Sequence, residues 1–266
     1  MKKSFGQHFL KDEAVIDVII TASNLQPGEL IVEVGPGAGA LTNRLAQFGN
    51  PLILIEADRD LLPKLATKYS TAQIIQADAA QVDYDAITQN QPWLLVSNLP
   101  YNAANAILEQ VYRAYHAPRQ LIVMVQKEVG DRMMAVPGEM SVLSVATQLY
   151  CSVERICSVP PSAFVPAPQV DSVVLRLVPR AVNSSETPSN YPLTKKRNSS
   201  DIEAVIALAK IGFAHRRKQL RQTLSSSGLT TLEAIDRIFV SLSISRTARP
   251  QELSLEQWVK LRTLIS

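Results

Sequence analysis

The chain has 266 residues, of which 46% are hydrophobic and 19% charged; this composition is that of a folded globular protein and excludes a disordered or fibrous one. No apolar run approaches membrane-spanning length, and two cysteines with three scattered histidines predict neither a disulfide framework nor a zinc site, so we expect a cytoplasmic protein. Residues 1–180 hold 14 Lys and Arg against 17 Asp and Glu, whereas residues 181–266 hold 13 against 7, which favours a C-terminal part that helps to hold a polyanion, or merely a basic solvated surface.

Short apolar runs alternate with stretches of helical spacing through the first 126 residues. Because the runs are continuous rather than alternating, they predict buried parallel strands with both sheet faces covered. The predicted strands are residues 30–35, 51–57, 72–78, 93–98 and 120–126. This rhythm predicts an open α/β sheet with helices on both faces.

The remaining chain changes character twice. Residues 151–159 and 171–179 are apolar runs joined by the Pro-rich "PPSAFVPAPQ", and this non-helical connection predicts an antiparallel edge on the sheet. Residues 181–200 are polar and turn-rich, and helical patterns follow from residue 201. We therefore predict a domain over 1–180, a linker over 181–200 and a small helical domain over 201–266.

The first predicted strand runs into a glycine turn, "EVGPGAGALT", which contains Gly35 and Gly37 and precedes a helix. Glu56 ends the second strand and Asp78 the third, at the edge where open α/β sheets bind ligands. Clustered carboxylates repel a pyrophosphate and suit a cationic nucleoside, so the pattern favours S-adenosylmethionine over a nicotinamide dinucleotide. Either acid alone could be a helix cap or an ordinary surface residue.

The fourth strand ends in "NLPY". The side-chain oxygen of Asn98 and the backbone carbonyl of Leu99 could accept from an adenine amine and make its nitrogen more nucleophilic. Pro100 stiffens the turn without adding a donor, and Tyr101 offers a stacking face worth roughly 1–3 kcal/mol. The tetrapeptide therefore predicts direct methyl transfer to an extruded base, without a metal. The alternative is a simple strand stop.

The stretch "HRRKQLRQTL" predicts a basic helix face, because Arg217 and Arg221 have i,i+4 spacing. Arg216 and Lys218 flank this pair, and Leu220 and Leu224 are expected to pack inward. Such a face suits RNA backbone phosphates, although a solvated face would carry similar charges. Further cations stand in the predicted linker at Lys195, Lys196 and Arg197.

Taken in order, these motifs resemble those of the ribosomal-RNA adenine N6,N6-dimethyltransferases, close to the bacterial 16S enzymes. The matching blocks are "FGQHFLKD", "EVGPGAGALT", "IEADRD", "QADAAQVD", "NLPYN", "VPPSAFVPAPQVDSVVLRL", "FAHRRKQLRQTL" and "RPQELS". The resemblance implies a Rossmann-like class I methyltransferase fold with a mostly parallel sheet, an antiparallel edge and a small C-terminal helical domain. It implies a monomer that uses S-adenosylmethionine to dimethylate two adjacent adenosines near the 3′ end of 16S rRNA, within the 30S subunit or a late precursor.

The resemblance also implies roles for individual residues. Phe164 is expected on the opposite face of the flipped base, with a core phenylalanine as the alternative. Two departures stand out: the basic N-terminal extension common in the family is expected to be nearly absent, and "VPGEMSVLSV" (136–145) replaces a usual Tyr-Gly pair, which implies a local loop difference. The implied cofactor contacts are His8, Leu10, Gly35, Gly37, Glu56, Asp78 and Asn98.

Two other functions remain open for this sequence. The target could be 23S rRNA, as in the macrolide-resistance methyltransferases, although "MVQKEVGDRM" and "RPQELS" favour the small subunit. The chain could also be a non-catalytic RNA-binding assembly factor, or a transcription-factor relative that keeps the fold. An intact "NLPY" favours retained catalysis over either non-catalytic role.

Overall fold

The computed structural model describes residues 8–180 and 199–265. The chain divides into two compact units, Met1–Gly130 with Val153–Pro179, and Asp131–Ser152 with Arg180–Ser266. The segment Asp131–Ser152, expected within 1–180, thus groups with the C-terminal helices. The predicted linker lies almost wholly outside the described residues, as do its three cations and residues 5–7 of "FGQHFLKD", so the predicted domain boundaries stay a prediction.

Nine strands are found in the described residues. They are β1 Phe9–Leu10, β2 Leu30–Val34, β3 Leu52–Glu56, β4 Gln73–Gln76, β5 Trp93–Asn98, β6 Leu121–Gln126, β7 Cys151–Val159, β8 Phe164–Val165 and β9 Ser172–Pro179. Seven of them form one sheet in the order β4-β3-β2-β5-β6-β9-β7. The neighbouring strands from β4 through β3, β2 and β5 to β6 pair in parallel, whereas β9 pairs antiparallel with β6. This confirms the predicted parallel sheet with an antiparallel edge.

The register of the central strands brings their carboxyl ends to one edge. β2 and β3 are buried along their whole length, as continuous apolar runs require. Val34 lies opposite Ile55, and Asn98 lies opposite Met124. The Gly35 backbone N–H continues the ladder by donating to the Ile55 carbonyl at 2.8 Å. The glycine turn, the end of β3 and the end of β5 therefore meet at the same edge.

Helices connect the strands and form most of the second unit. Asp12 caps the N-terminus of the first helix, α1 (Glu13–Ser23), because its carboxylate accepts from the backbone N–H groups of Ala14 and Val15. The helices are α1 Glu13–Ser23, α2 Ala40–Ala46, α3 Leu62–Lys68, α4 Tyr84–Thr88, α5 Ala104–Arg113, α6 Lys127–Met133, α7 Val142–Tyr150, α8 Ser199–Phe213, α9 Leu220–Ser226, α10 Leu232–Ser241 and α11 Leu255–Ile265. No helix among the described residues is long and apolar enough to cross a membrane.

A small two-stranded sheet joins the N-terminal motif to the Pro-rich connection. Phe9 pairs with Val165 and Leu10 with Phe164, in antiparallel register. The Lys11 backbone N–H extends the pairing to the Ala163 carbonyl at 2.9 Å. Strands of two residues carry no periodicity, so the sequence offered no expectation for this pairing.

The second unit is centred on Trp258 of α11. Its ring stacks on Phe213 at 5.7 Å and lies so close to Gly212 of α8 that a Cβ there would meet the ring at 2.6 Å. Leu220 and Leu224 are fully buried, which confirms their inward packing. Within the same unit, the 136–145 stretch hydrogen-bonds through Gly138 to the Gln251 carbonyl and then enters α7 at a Ser141 capping box.

Candidate active site

A cavity of about 370 Å³ opens at the carboxyl edge of the sheet in the first unit. It is lined by both groups of predicted residues, those for the cofactor and those for the base. The predicted residues that line it are His8, Leu10, Gly35, Gly37, Glu56, Asp78, Asn98, Leu99, Pro100 and Tyr101. Parallel register accounts for the convergence, because residues that follow strands β2 to β5 must meet at this edge.

The glycine turn is packed so closely that side chains are excluded at two positions. A Cβ at Gly37 would lie 2.9 Å from the Phe9 ring, and one at Gly39 would collide with the Tyr69 hydroxyl. Both glycines also have positive φ, of 57° and 84°. The Tyr69 hydroxyl lies 2.7 Å from Asn43 Oδ1 and 3.1 Å from the Gly39 carbonyl. The turn is thus held from both sides, with Gly35 and Gly37 lining the cavity.

The two predicted acids differ in how they are held. Glu56 is 6% exposed, and its two carboxylate oxygens accept from the backbone N–H groups of Gly37 at 3.2 Å and Asp58 at 2.9 Å. Burial raises the pKa of Glu56, which these N–H donors oppose. Asp78 is exposed and accepts from the Ala80 backbone N–H at 3.0 Å. Glu56 is therefore fixed, whereas Asp78 is open to solvent.

Glu33 is a cavity residue that the sequence analysis did not single out. It lies within β2 and is 2% exposed, yet it lines the cavity. Burial raises the pKa of Glu33 to about 8, although the Thr42 hydroxyl donates to it at 2.7 Å and partly opposes the rise. The available signal was a carboxylate inside the apolar run "LIVEVG", which an ordinary buried strand would not contain.

Asn98 presents an unpaired acceptor. Its Nδ2 donates to the His8 backbone carbonyl at 3.4 Å, which leaves its Oδ1 buried and without a hydrogen-bond partner among the described residues. Next to it, the Leu99 N–H donates to the Met124 carbonyl at 3.1 Å, and the Ala103 N–H donates to the Pro100 carbonyl at 3.0 Å. A buried acceptor without a donor is costly, so this position suits a ligand that brings an N–H group.

Tyr101 is half-buried and held at two points. Its ring stacks on the His8 imidazole with centroids 5.9 Å apart and planes 26° apart. Its hydroxyl lies 2.6 Å from the Ser172 hydroxyl, and burial raises the pKa of Tyr101. The His8 ring is itself fixed, because Nδ1 lies 2.7 Å from the Pro166 carbonyl. The stacked rings of His8 and Tyr101 are therefore held in place by the stretch from Pro166 to Ser172.

The structure does not bring Phe164 to the cavity. Its side chain is 2% exposed and packs in the core around α1, and its backbone pairs with Leu10 in the two-stranded sheet. It is not among the lining residues. This placement is that of the core phenylalanine considered as the alternative, and the base contact of Phe164 stays a prediction.

The predicted basic helix face is wrong, because the helix is interrupted within it. α8 ends at Phe213 and α9 begins at Leu220, so Arg216, Arg217 and Lys218 lie in the intervening turn with exposed side chains. Arg221 lies in α9, where its guanidinium donates to both carboxylate oxygens of Asp236 at 3.1 Å and its side chain is 24% exposed. The structure thus keeps three of the four cations together and separates Arg221 from them.

The described residues contain no group of three or more His, Cys, Asp or Glu that could hold a metal ion. The carboxyls of Glu33, Glu56 and Asp78 at the cavity instead accept hydrogen bonds from backbone N–H groups and a hydroxyl.

Comparison with known proteins identifies the family. The model of the family "Ribosomal RNA adenine dimethylase" matches residues 1–262. The chain is 37% identical to the ribosomal RNA small subunit methyltransferase A of Picosynechococcus sp., over 98% of this chain and 95% of that protein. It is 38% identical to the protein of the same name from Pectobacterium atrosepticum, over 100% of this chain and 93% of that protein.

Solved structures support the same fold. A dimethyladenosine transferase from Plasmodium falciparum superposes with a TM-score of 0.76 at 21% identity, over 96% of each chain. The 23S rRNA methyltransferase ErmE does so with a TM-score of 0.72 at 22% identity, over 97% of this chain and 99% of that one. These likenesses confirm the predicted Rossmann-like class I methyltransferase fold. The chain belongs to the ribosomal RNA adenine dimethylase family, a family of enzymes that use S-adenosylmethionine as methyl donor.

Proposed function

We propose that this chain transfers methyl groups to the N6 amines of two adjacent adenosines near the 3′ end of 16S rRNA, and so forms N6,N6-dimethyladenosines. The substrate is the 30S subunit or a late precursor, and the enzyme acts as a monomer in the cytoplasm. Relatives that match nearly the whole chain are named small subunit methyltransferases, which supports this target. The observation that carries the chemistry is the buried, unpaired Oδ1 of Asn98.

The donor set of the cavity fits S-adenosylmethionine, which supplies a methyl group activated by a sulfonium. Glu56 and Asp78 place carboxyls beside the glycine turn, and such a site favours a cationic ligand without phosphate. Glu56 would hold the ribose hydroxyls and Asp78 the adenine amine of the donor. Leu10 of β1 and His8, which directly precedes that strand, line the same cavity.

Asn98 and Leu99 would prepare the target amine for reaction. Two oxygen acceptors on its N–H groups would reduce the conjugation of the nitrogen lone pair with the purine ring. The lone pair would then bond to the methyl carbon while the bond between that carbon and the sulfonium sulfur breaks, and the amine would afterwards release one proton. Positive charge develops on the nitrogen during this step, and fixed oxygens stabilise it without reorganisation. The His8 carbonyl holds Nδ2 of Asn98 and thereby directs Oδ1 to this task.

Tyr101 and the basic turn would bind the RNA in different ways. The tyrosine ring supplies a stacking face for the extruded base, which compensates part of the cost of unstacking it. Arg216, Arg217 and Lys218 are exposed cations that suit backbone phosphates and carry no base specificity.

Radiolabelled methyl transfer to unmethylated 30S and 50S particles, followed by nucleoside analysis, tests the target. We expect label in dimethyladenosine from 30S particles and little from 50S particles. Label mainly in 50S particles would instead assign the 23S target. Tight 30S binding without transfer would assign the role of an assembly factor, and the Asn98→Ala variant supplies the inactive control.

A further inference from the structure

Ser172 places a hydroxyl where an aliphatic side chain would fit the strand. It begins β9 opposite Gln126 of β6 and is fully buried. The next three residues of the strand, Val173, Val174 and Leu175, are equally buried and aliphatic. A buried hydroxyl is costly unless it is hydrogen-bonded. Its side-chain partner is the hydroxyl of Tyr101, at 2.6 Å.

The tyrosine is restrained at its backbone, its face and its hydroxyl. The turn from Pro100 to Ala103 fixes the backbone, the His8 imidazole stacks on the ring, and Ser172 holds the far end of the side chain. The turn and the His8 imidazole alone would still permit the Tyr101 ring to pivot, because ring stacking at a centroid distance of 5.9 Å tolerates sliding. A hydrogen bond to a buried strand residue removes that freedom, since β9 is part of the main sheet.

We propose that Ser172 is a positioning residue that holds the Tyr101 ring in the orientation in which it stacks on the extruded adenine. This inference rests on the proposed function and deepens it. The Tyr101 hydroxyl then serves as an anchor for the ring and takes no proton from the reaction. The two hydroxyls act together through one hydrogen bond, so removing either should release the ring to the same extent.

A double-mutant cycle with the full-length enzyme tests whether the hydroxyls of Ser172 and Tyr101 act together. Ser172→Ala and Tyr101→Phe should each lower kcat by about 2–10-fold, the range expected for loss of one hydrogen bond. The combined variant should be no slower than the slower single variant. KM for 30S particles and the affinity for S-adenosylmethionine by calorimetry should stay within about twofold, because phosphate contacts dominate RNA affinity and the cofactor residues are unchanged.

Ser23→Ala provides the matched control. Ser23 is also fully buried in the first unit, and its hydroxyl donates to the Ile19 carbonyl at 2.7 Å, with no link to Tyr101. Its loss should lower stability as Ser172→Ala does and leave kcat unchanged. NMR of enzyme with ring-labelled tyrosine adds a readout that needs no RNA: the Tyr101 signal, assigned by its absence in Tyr101→Phe, should shift in Ser172→Ala and stay in place in Ser23→Ala.

An unchanged kcat in Ser172→Ala would overturn the proposal, and so would additive losses in the combined variant. A wild-type enzyme that methylates no particle would refute the proposed function instead. In that case the NMR comparison still decides the inference, because an unmoved Tyr101 signal would show that Ser172 does not hold the ring.

Discussion

The cavity of the first unit and the basic turn of the second unit hold their polar groups in opposite ways. Glu56 is buried and Tyr101 is half-buried, and each is fixed by hydrogen bonds to its surroundings. Arg216, Arg217 and Lys218 stand exposed in a turn. Fixed groups stabilise charge without reorganising, whereas exposed cations attract phosphates at a distance and are screened by salt. Changes in the cavity should therefore be large and insensitive to salt, and changes in the turn small and dependent on it.

Replacing Asn98 by alanine should have the largest effect. The variant loses the unpaired oxygen that we assign to the target amine, so kcat for methyl transfer should fall by roughly 10²–10³-fold, as for loss of other preorganised transition-state contacts. Affinity for 30S particles should stay within about twofold, because that affinity comes mainly from phosphate contacts. Single-turnover methyl transfer and filter binding measure the two quantities.

Asn50→Ala is the matched control for this prediction. The Asn50 amide donates to the carbonyls of Gln26 and Glu29, away from the cavity residues. This variant should lose stability and keep its kcat. If Asn98→Ala retained full turnover, the acceptor mechanism would be wrong even though the family assignment would stand.

The cavity could be predicted because its residues follow from rules that act along the chain. Continuous apolar runs indicate parallel strands, and the residues that follow such strands meet at one edge. Glu56, Asp78 and Asn98 were placed together by this reasoning alone. Glu33 was not predicted at the cavity, because the apolar pattern assigns an interior strand position to the core and says nothing of what a carboxyl there would bind.

The structure differs from the expectations where contacts distant in sequence decide it. The i,i+4 spacing of Arg217 and Arg221 assumes one continuous helix, but the Leu220 N–H donates to the Ala248 carbonyl, and α9 starts anew with Leu220 fully buried. Phe164 faces the core because it pairs with Leu10, more than 150 residues away. No local pattern encodes either contact.

Replacing Glu33 by glutamine should change how stability depends on pH. In the folded enzyme burial raises the pKa of Glu33 to about 8, whereas in the unfolded chain its carboxyl has the ordinary pKa of 4.5. Between these values the unfolded state binds fewer protons, so the free energy of unfolding falls as pH rises. Glutamine stays neutral in both states, so the free energy of unfolding of the variant does not fall in this way. At pH 8 the variant should therefore be more stable than the wild type by on the order of a few kcal/mol.

Urea unfolding of both proteins without cofactor at pH 5, 6.5 and 8 measures this difference. Glu128→Gln serves as control, because Glu128 is exposed on α6 and should leave the pH dependence as in the wild type. Parallel curves for Glu33→Gln and wild type would mean that the Glu33 carboxyl is already ionised in the folded cavity.

A smaller effect than that of Asn98→Ala is expected in the basic turn. Neutralising Arg216, Arg217 and Lys218 together should weaken 30S binding roughly tenfold and flatten the plot of log affinity against log salt by about 2, if each cation meets a phosphate. Saturating particles should restore the wild-type kcat, because the cavity is unchanged. Binding titrations at several salt concentrations give both the affinity and the slope.

Arg221→Met separates the turn from the predicted helix face. It breaks the ion pair with Asp236, so it should lower stability, yet it should leave the salt slope near the wild-type value because Arg221 is already neutralised. A flattened slope in Arg221→Met would return this arginine to the RNA-binding surface. An unchanged slope in the triple variant would mean that the turn is a solvated surface, and that the phosphate contacts lie elsewhere in the enzyme.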